Sequence, residues 1–388
     1  MILNVPVLFP AVLIVLFLII LLTIAVINML AAKNLRDYKK LIFFPRISVL
    51  IPARNEENKI GPCVSSLLAQ DYPDFQVVVI DDDSTDRTGE VLASLAKNDR
   101  RLKIIRGAPL PLNWLGKHWA CHQLYRQADG ELLMFTDADT IHTPDTLRCA
   151  AGAIHDERAD MISIIPRHML GTWSEKLIMP IFALGVFAQV PLLEKFRPKK
   201  RAILSSSGKL MMFRRTAYEA AGGFEAIKQN VLDDLELPQQ IIAEGLRYRL
   251  MDGTDNVSCR MYHNFNELYE GLTKNSFAAY GYNVRLFVLT WLWMLFVFWE
   301  PIFLIAIYKD FAYPPVLTMG LSVIAVIAAL LLCAIYYHRF KFPIYLIFLY
   351  PLSVTAMAAI SVSSMVLTLS GRTTWKDRKI PTRKNINI

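Results

Sequence analysis

The sequence predicts an α/β domain with a mostly parallel sheet, inserted between hydrophobic segments that span a membrane. Residues 47–166 alternate short apolar runs with longer amphipathic runs, the pattern of successive strand–helix–strand units. Apolar residues make up 54% of the 388 residues, against roughly 45–50% in an ordinary soluble domain. The excess lies in one N-terminal run and several C-terminal runs, which makes a membrane protein with an inserted globular domain the expected organisation.

Five short apolar runs in the central region are predicted to be buried strands. They are 47–53, 75–80, 102–105, 131–136 and 161–166. The intervening segments 56–70, 85–97, 117–128 and 144–156 have helical spacing and polar faces. Because ligands of such sheets bind at the carboxyl ends of the strands, polar clusters that follow the strands are the candidates for a site.

The hydrophobic segments predict a membrane anchor and a membrane region. Residues 5–32 are uninterrupted by charge and exceed the ~20 residues that cross a bilayer, so they are expected to form an N-terminal transmembrane anchor. Residues 286–369 contain three apolar runs and predict a C-terminal transmembrane region, which a basic tail at 370–388 follows. Residues 173–193 are apolar but interrupted by charges and prolines, which favours an interfacial amphipathic segment.

Basic residues concentrate beside these segments. The chain carries a formal charge of +8, and Lys33, Arg36, Lys39, Lys40 and Arg46 follow the first apolar run. This placement favours an anionic bilayer over a nucleic acid as partner. By the positive-inside rule it predicts a cytoplasmic domain at the cell membrane.

The side of the C-terminal tail remains open between two topologies. One N-terminal and three C-terminal spans would place the tail outside, whereas its Lys and Arg residues favour the inside. Either one apolar run does not span or residues 173–193 do. We expect an inside tail.

An acidic cluster, Asp81 to Asp86, follows the second predicted strand. Capping of the next helix explains one or two of these acids but not three consecutive carboxylates, which repel one another unless a ligand or cation offsets the charge. A carboxylate here can accept hydrogen bonds from a ribose hydroxyl or a base N–H. The cluster therefore favours a nucleotide site.

A second acidic motif, Asp137-Ala138-Asp139, follows the apolar run 131–136. Two carboxylates one residue apart can approach the same hard cation when the chain turns there. Mg²⁺ and Mn²⁺ are usually held by one or two carboxylates together with substrate phosphates. The motif therefore predicts a divalent cation as cofactor.

A third pair, Asp233-Asp234, precedes a predicted helix. The acids either favour the helix N-terminus or supply a general base, if one raises the pKa of the other. Lys117 and Arg54 are candidate phosphate contacts, although a single basic residue is more often a solvated side chain. The sequence contains no Walker-type glycine loop and no recognisable nucleophile pair.

Taken together, these motifs resemble family 2 glycosyltransferases of the inverting, metal-dependent GT-A type. The matching segments are IPARNEE (51–57), VVVIDDDSTDRT (77–88), DAD (137–139), GKLMMFRRTAYEAAGGF (208–224) and the acidic pair 233–234. Their order and spacing agree across roughly residues 47 to 252. Segments 108–124, 260–275 and 372–378 resemble the membrane-anchored subgroup of carotenoid and hopanoid pathways, which includes diaponeurosporenoate glucosyltransferases. The resemblance implies a Rossmann-like GT-A domain over 47–283.

The resemblance also implies roles for individual residues. Those expected at the nucleotide sugar are Pro52, Ala53, Arg54, Glu56, Glu57, Asp82, Lys117, Asp137, Trp375 and Arg378. Asp139 with Asp137 is expected to hold the cation, and Asp234 with Asp233 to supply the catalytic base. The family's Asp-Gly-Ser is Asp82-Asp83-Ser84 here and its Glu-Asp is Asp233-Asp234, so the acting member of each acidic pair stays open.

The implied reaction is the inverting transfer of one sugar from a nucleotide sugar, expected to be a UDP-hexose, to a lipid such as a carotenoid or hopanoid. The Gln-x-x-Arg-Trp element of processive synthases is absent, which favours single-sugar transfer. Polyprenyl phosphate and diacylglycerol remain alternative acceptors. A non-catalytic membrane subunit that binds nucleotide sugar is the alternative from another class.

Overall fold

The computed structural model describes residues 5–41, 43–187, 206–311, 316–376 and 378–380. The chain divides into two compact units. One, which we call the sheet unit, contains Ala32–Met169 and Arg197–Met261. The other, the helical unit, contains Met1–Ala31, Leu170–Phe196 and Tyr262–Ile388. The predicted domain 47–283 would also include segments that fall in the helical unit.

Twelve strands occur in the described part of the chain. In order they are β1 Ile47–Ala53, β2 Phe75–Asp81, β3 Leu102–Arg106, β4 Leu132–Phe135, β5 Thr140–His142, β6 Met161–Ile165, β7 Arg167–His168, β8 Met211–Arg214, β9 Tyr248–Asp252, β10 Val257–Cys259, β11 Thr374–Trp375 and β12 Arg378–Lys379. The five runs predicted as strands form β1, β2, β3, β4 and β6, each within one residue of its expected bounds.

Thirteen α-helices accompany them in the same described ranges. They are α1 Val5–Ala31, α2 Ile60–Leu68, α3 Thr88–Ala96, α4 Gly116–Gln127, α5 Thr146–Asp156, α6 Trp173–Phe187, α7 Arg215–Ala220, α8 Gly223–Ala226, α9 Asp233–Ala243, α10 Phe265–Asn275, α11 Val284–Phe311, α12 Val316–Arg339 and α13 Tyr350–Leu369.

A seven-stranded sheet organises the sheet unit, with strand order β3-β2-β1-β4-β8-β6-β9. All neighbouring pairs are parallel except those of β8, which runs antiparallel to β4 and β6. The prediction of a mostly parallel sheet is therefore confirmed. The antiparallel direction of β8 brings residues 206–210 to the edge where β1, β2 and β4 end, because Met211 is paired with Phe135.

Helices cover both faces of this sheet. Val49 and Val77 of neighbouring strands belong to one buried apolar cluster, whereas Leu50 and Val78 belong to a second. Residues one apart along a strand point to opposite faces, so the continuous apolar sequence of β1 reflects burial on both sides. This core holds the carboxyl ends of the strands in fixed positions.

The helical unit contains four segments long and apolar enough to cross a membrane. Among the described residues these are Leu8–Ala31, Val284–Ile307, Val316–Arg339 and Ile344–Leu369. Polar side chains link the segment after α10, and α11, to α13: the backbone N–H of Phe277 donates to Ser364 Oγ at 3.0 Å, and Trp299 Nε1 donates to Thr355 Oγ1 at 2.9 Å. Of the predicted interfacial segment 173–193, the part up to Phe187 is α6, and the rest lies outside the described residues.

Helix α5 packs closely against the short turn Leu35–Tyr38 at Gly152, where a Cβ atom would overlap the carbonyl oxygen of Tyr38. We therefore expect Gly152→Ala to lower the free energy of unfolding by about 1–3 kcal/mol, although alanine normally favours a helix by about 1 kcal/mol over glycine. Thermal unfolding of the full chain in detergent measures this. Gly61→Ala in α2 is the control, because its Cβ would make an ordinary 3.4 Å contact with Val91 Cγ1. Equal midpoint temperatures for the two variants would contradict the prediction.

Candidate active site

The loops that follow β1 and β2 hold each other through hydrogen bonds. Asp82 N donates to Ala53 O at 2.8 Å, and Asn55 N donates to Ser84 Oγ at 3.1 Å. Thr85 N in turn donates to Asn55 Oδ1 at 2.9 Å. The two loops, residues 54–59 and 82–87, therefore form one connected structure at the carboxyl edge of the sheet, which we call the ordered wall.

Several acids of these loops stabilise the loops themselves. Asp86 accepts hydrogen bonds from Glu57 N at 3.1 Å and Thr88 N at 3.0 Å, and Glu57 Oε2 accepts one from Arg87 N at 3.0 Å. Partial burial raises the pKa of Asp86, but a 2.6 Å hydrogen bond from Thr88 Oγ1 and the backbone hydrogen bonds outweigh it, and the net shift is downward. Asp81 likewise accepts the backbone N–H of the turn that follows it, at 3.0 Å. These carboxylates have local partners that account for their presence.

Asp82 and Asp83 differ sharply in exposure and backbone conformation. Asp82 is 6% exposed, whereas the side chain of Asp83 is 76% exposed. Asp83 has a φ of 60°, the left-handed region that glycine adopts freely and aspartate tolerates. Arg54 Nη1 donates to the carbonyl oxygens of both residues at 2.7 Å. Asp83 thus occupies the conformation that suits the glycine of the family's Asp-Gly-Ser.

Five charged side chains alternate in sign along a continuous series of contacts, which we call the ionic chain. Lys209 Nζ donates to Asp137 Oδ2 at 3.0 Å and to both carboxylate oxygens of Asp139 at 2.8 Å. Lys117 Nζ lies 2.9 Å from Asp137 Oδ1 and 3.0 Å from Asp233 Oδ2. The order is Asp139, Lys209, Asp137, Lys117, Asp233.

Four segments of the chain bring these charges together. The loop after β4 supplies two acids and is held by Thr140 Oγ1, which donates to Asp137 O at 2.8 Å. Lys209 enters just before β8, where its carbonyl oxygen accepts a 2.7 Å hydrogen bond from Thr136 Oγ1. Lys117 lies in the first turn of α4 and Asp233 is the first residue of α9.

The opposite charges of the ionic chain keep these side chains ionised although they are largely buried. Burial raises the pKa of Asp137, but Lys117 and Lys209 outweigh it and hold that pKa below the usual range of a carboxyl group. Burial likewise raises the pKa of Asp233, and Lys117 reverses the shift. The pKa values of both lysines lie well above their ordinary value, since the carboxylates outweigh burial. For Asp233 this is the opposite of the upward pKa shift expected within an acidic pair.

Gly208 leaves room for one methyl-sized atom beside the ionic chain. A Cβ atom there would lie 3.5 Å from Lys117 Nζ, 3.7 Å from Asp137 Oδ2 and 4.0 Å from Asp234 Cβ. Asp234, a half-buried residue of the first turn of α9, therefore borders the same space as two members of the chain. Sequence reasoning did not single out Gly208 or Lys209. Both stand at the start of the segment 208–224 that resembles the family, but the resemblance assigns them no role.

Other expected site residues make contacts that do not involve the ionic chain. Pro52 and Ala53 form the end of β1, paired with β2, and Glu56 N donates to Thr88 Oγ1 at 2.8 Å. Trp375 and Arg378 pair as two short antiparallel strands in the helical unit, where Lys274 Nζ lies 4.5 Å from the centre of the Trp375 ring. Their place beside the phosphates stays a prediction.

The donor set of Asp137 and Asp139 suits a hard cation. Across the described ranges, no three His, Cys, Asp or Glu side chains are grouped as a metal site. The two carboxylates nevertheless converge on one positive group, the ammonium of Lys209. Because Mg²⁺ is usually bound by one or two carboxylates plus substrate phosphates, two convergent carboxylates fit its requirements.

Comparison with known families gives this arrangement a context. Residues 48–222 match the family described as Glycosyl transferase family 2. This part of the chain is a family 2 glycosyltransferase domain. The matched residues include both loops of the ordered wall, Lys117, the Asp137–Asp139 motif and Lys209.

Two curated relatives each match 64% of the chain. The chain is 28% identical over 263 residues to a beta-monoglucosyldiacylglycerol synthase from a Nostoc species, which covers 64% of this chain and 52% of the relative. It is 27% identical over 258 residues to a 4,4'-diaponeurosporenoate glycosyltransferase from Staphylococcus aureus, which covers 64% of this chain and 65% of the relative. The matches thus span about half to two thirds of the length of these relatives.

One solved structure supports the fold. A mannosyltransferase from Pyrobaculum calidifontis, in complex with GDP-Man and Mn²⁺, superposes with a TM-score of 0.54 at 17% identity, covering 96% of this chain and 100% of that one. The predicted GT-A fold, with apolar helices at both ends that could span a membrane, is confirmed.

The contact between Lys117 and Asp233 generates a test of the ionic chain. We expect Lys117→Met, Asp233→Asn and the double variant to show a coupling of about 1–2 kcal/mol in the free energy of unfolding, at the low end because the Lys117 side chain is 36% exposed. Chemical denaturation of the full chain in detergent measures the cycle. Lys103→Met is the matched control, since Lys103 Nζ donates to Gln127 at 2.8 Å. Additive effects of Lys117→Met and Asp233→Asn would argue against the ion pair.

Proposed function

We propose that this chain is an inverting glycosyltransferase that moves one sugar from a nucleotide sugar, a UDP-hexose, to a lipid acceptor. The observation that carries the proposal is the ionic chain at the carboxyl edge of a family 2 glycosyltransferase domain. It brings carboxylates and ammonium groups together at the edge of the sheet where ligands of such folds bind, as a cation and a diphosphate would require. The lack of a Gln-x-x-Arg-Trp element supports transfer of a single sugar.

The ordered wall is the proposed nucleotide site. We assign the nucleotide contact to Asp82 and not to Asp83, because the carboxylate of Asp82 is nearly buried whereas Asp83 faces solvent with a glycine-like φ. Arg54 braces the carbonyl oxygens of both residues, so its proposed part is to hold the turn. Pro52, Ala53, Glu56 and Glu57 complete this wall.

Asp139 with Asp137 would hold a divalent cation, Mg²⁺ or Mn²⁺. When bound, such a cation stabilises the charge that grows on the leaving diphosphate. Lys117 contributes to the same end, because its ammonium borders the space at Gly208 and adds positive charge there. Trp375 and Arg378 are proposed to lie near the phosphates of the donor.

Asp234 is the proposed catalytic base. Lys117 engages the carboxylate of Asp233 at 3.0 Å and lowers its pKa, which makes Asp233 a poor proton acceptor. Asp234 borders the space at Gly208. An acceptor hydroxyl would give its proton to Asp234 while its oxygen attacks the anomeric carbon. The bond from that carbon to the diphosphate breaks on the opposite face, and the configuration inverts.

The relatives favour two acceptor classes. One acts on a carotenoid acid, 4,4'-diaponeurosporenoate, and the other makes monoglucosyldiacylglycerol. We propose a carotenoid or hopanoid acceptor, with diacylglycerol as the second candidate. The acceptors of the two relatives differ in chemistry, since a carboxylate such as diaponeurosporenoate is already deprotonated near neutral pH, whereas the hydroxyl group of a diacylglycerol needs a base.

The proposed location is the cell membrane, with several spans and the sheet unit in the cytoplasm. Support comes from the four apolar helical segments and from the basic residues that follow α1. A lipid acceptor would then be drawn from the same bilayer that anchors the enzyme.

The catalytic proposal is tested by release of nucleoside diphosphate from a panel of UDP- and GDP-sugars. Membranes containing the full chain and native lipids are assayed with and without a chelator. We expect turnover of one donor, and at least a hundredfold loss of that turnover with chelator or with Asp139→Asn. Asp99→Asn is the control and should leave the turnover unchanged, because its carboxylate pairs with Arg101 on the surface. The labelled lipid product identifies the acceptor.

A different outcome would favour the non-catalytic alternative. If the wild-type protein binds a uridine nucleotide in the presence of metal but never releases diphosphate from any donor, the chain is a binding subunit and the catalytic proposal fails.

The neighbouring acids Asp233 and Asp234 provide a matched pair for the base. We expect Asp234→Asn to lower kcat about 10²- to 10⁴-fold with little change in donor affinity, because it removes the proton acceptor. Asp233→Asn should act mainly on stability, through the lost contact with Lys117. Single-turnover kinetics and donor binding separate the two effects. A kcat that is insensitive to Asp234→Asn would point to a carboxylate acceptor, and a loss confined to Asp233→Asn would reverse the assignment.

A further inference from the structure

Lys209 is a nearly buried cation to which the proposed reaction assigns no role. Its side chain is 8% exposed, and its ammonium lies 3.0 Å from Asp137 Oδ2 and 2.8 Å from both oxygens of Asp139. An ammonium has three N–H donors, so these contacts can use its whole hydrogen-bonding capacity.

Lys209 Nζ occupies the position beside Asp137 and Asp139 that a divalent cation would need. The carboxylates of Asp137 and Asp139 both contact this ammonium, and the same two carboxylates would be the protein ligands of a metal ion. A metal ion and an ammonium cannot share that position, and in neighbouring positions their positive charges repel each other strongly in a partly buried site. Full binding of the cation therefore requires the side chain of Lys209 to move.

The anchoring of Lys209 permits such a movement. Its backbone is fixed, because its carbonyl oxygen accepts from Thr136 Oγ1 at 2.7 Å and β8 begins two residues later. The ammonium is held at the end of a flexible four-carbon stem. Rotation of this stem can release the carboxylates without displacing the strand or the loop after β4.

We infer that Lys209 is a built-in counter-ion that competes with the divalent cation for Asp137 and Asp139, so that the cation binds tightly only together with the donor. The inference rests on the proposed function. With its three carboxylates and two ammonium groups, the ionic chain carries one net negative charge, a weak attraction for a free cation. A diphosphate supplies further oxygen ligands for the metal and new acceptors for the displaced ammonium.

The test is Mn²⁺ binding to the full chain in detergent, followed by electron paramagnetic resonance without any sugar donor. We expect Lys209→Met to lower the Kd for Mn²⁺ at least tenfold, because the competing charge is removed. Lys209→Gln, which keeps a hydrogen-bond donor without the charge, should lower it as well and serves if the methionine variant folds poorly. Lys103→Met is the charge-matched control and should stay within twofold of wild type. Asp139→Asn should weaken binding in every background.

Two further readouts separate competition from a merely structural role. Addition of UDP should lower the Kd for Mn²⁺ much more in the wild type than in Lys209→Met, since the variant has no ammonium to displace. Mn²⁺ should also raise the unfolding temperature more in Lys209→Met than in wild type, because the ion then neutralises carboxylates that have lost their partner.

Contrary results fall into two distinguishable groups. A Kd for Mn²⁺ that is unchanged or weaker in both Lys209 variants, with binding intact in wild type, overturns the inference and leaves the proposed function standing. If neither wild type nor variants bind Mn²⁺, with or without UDP, the inference falls together with the proposed cation. Turnover that persists with chelator would then show that the transferase proposal survives without it.

Discussion

The charge balance of the ionic chain is the constraint on which the site depends. Burying a carboxylate or an ammonium is costly unless an opposite charge and hydrogen bonds replace water. Asp137 meets this requirement with two lysines that reach it from different segments, at 2.9 and 3.0 Å. The antiparallel β8 inside a parallel sheet supplies one of them, and the start of α4 supplies the other. The main irregularity of the sheet and the assembly of the site are therefore the same structural feature.

Periodicity and strand ends could be predicted from the sequence because both are local. The five apolar runs and the three acidic clusters lie in short stretches whose pattern needs no knowledge of distant partners. What each acid does could not be predicted in this way. Asp86 and Asp82 look alike in the sequence, yet Asp86 is bound to the backbone N–H of Glu57, 29 residues away. Hydrogen bonds between two loops decide which carboxylates are structural.

The contacts of Lys209 with Asp137 and Asp139 could not be predicted from the local sequence. Lys209 is 72 residues from Asp137 and 70 from Asp139, and it reaches them only because β8 pairs with β4 in antiparallel register. In the sequence it is one lysine before an apolar run, which resembles a solvated residue at the start of a strand. Its burial and its partners follow from the strand order β4-β8-β6, which sequence periodicity does not specify. A prediction of these contacts would have required the order and direction of the strands.

The geometry of α9 separates the two adjacent acids at 233 and 234. Successive residues of a helix project about 100° apart, so both carboxylates cannot face the same lysine. Lys117 takes Asp233, and Asp234 lies beside the space at Gly208. The family pattern has Glu-Asp at this pair, so the residue that differs here is Asp233. This is the residue that contacts Lys117. The long, flexible side chain of the lysine can reach the shorter acid. The departure from the family pattern thus affects the residue that contacts Lys117, and residue 234 is an aspartate as in the family pattern.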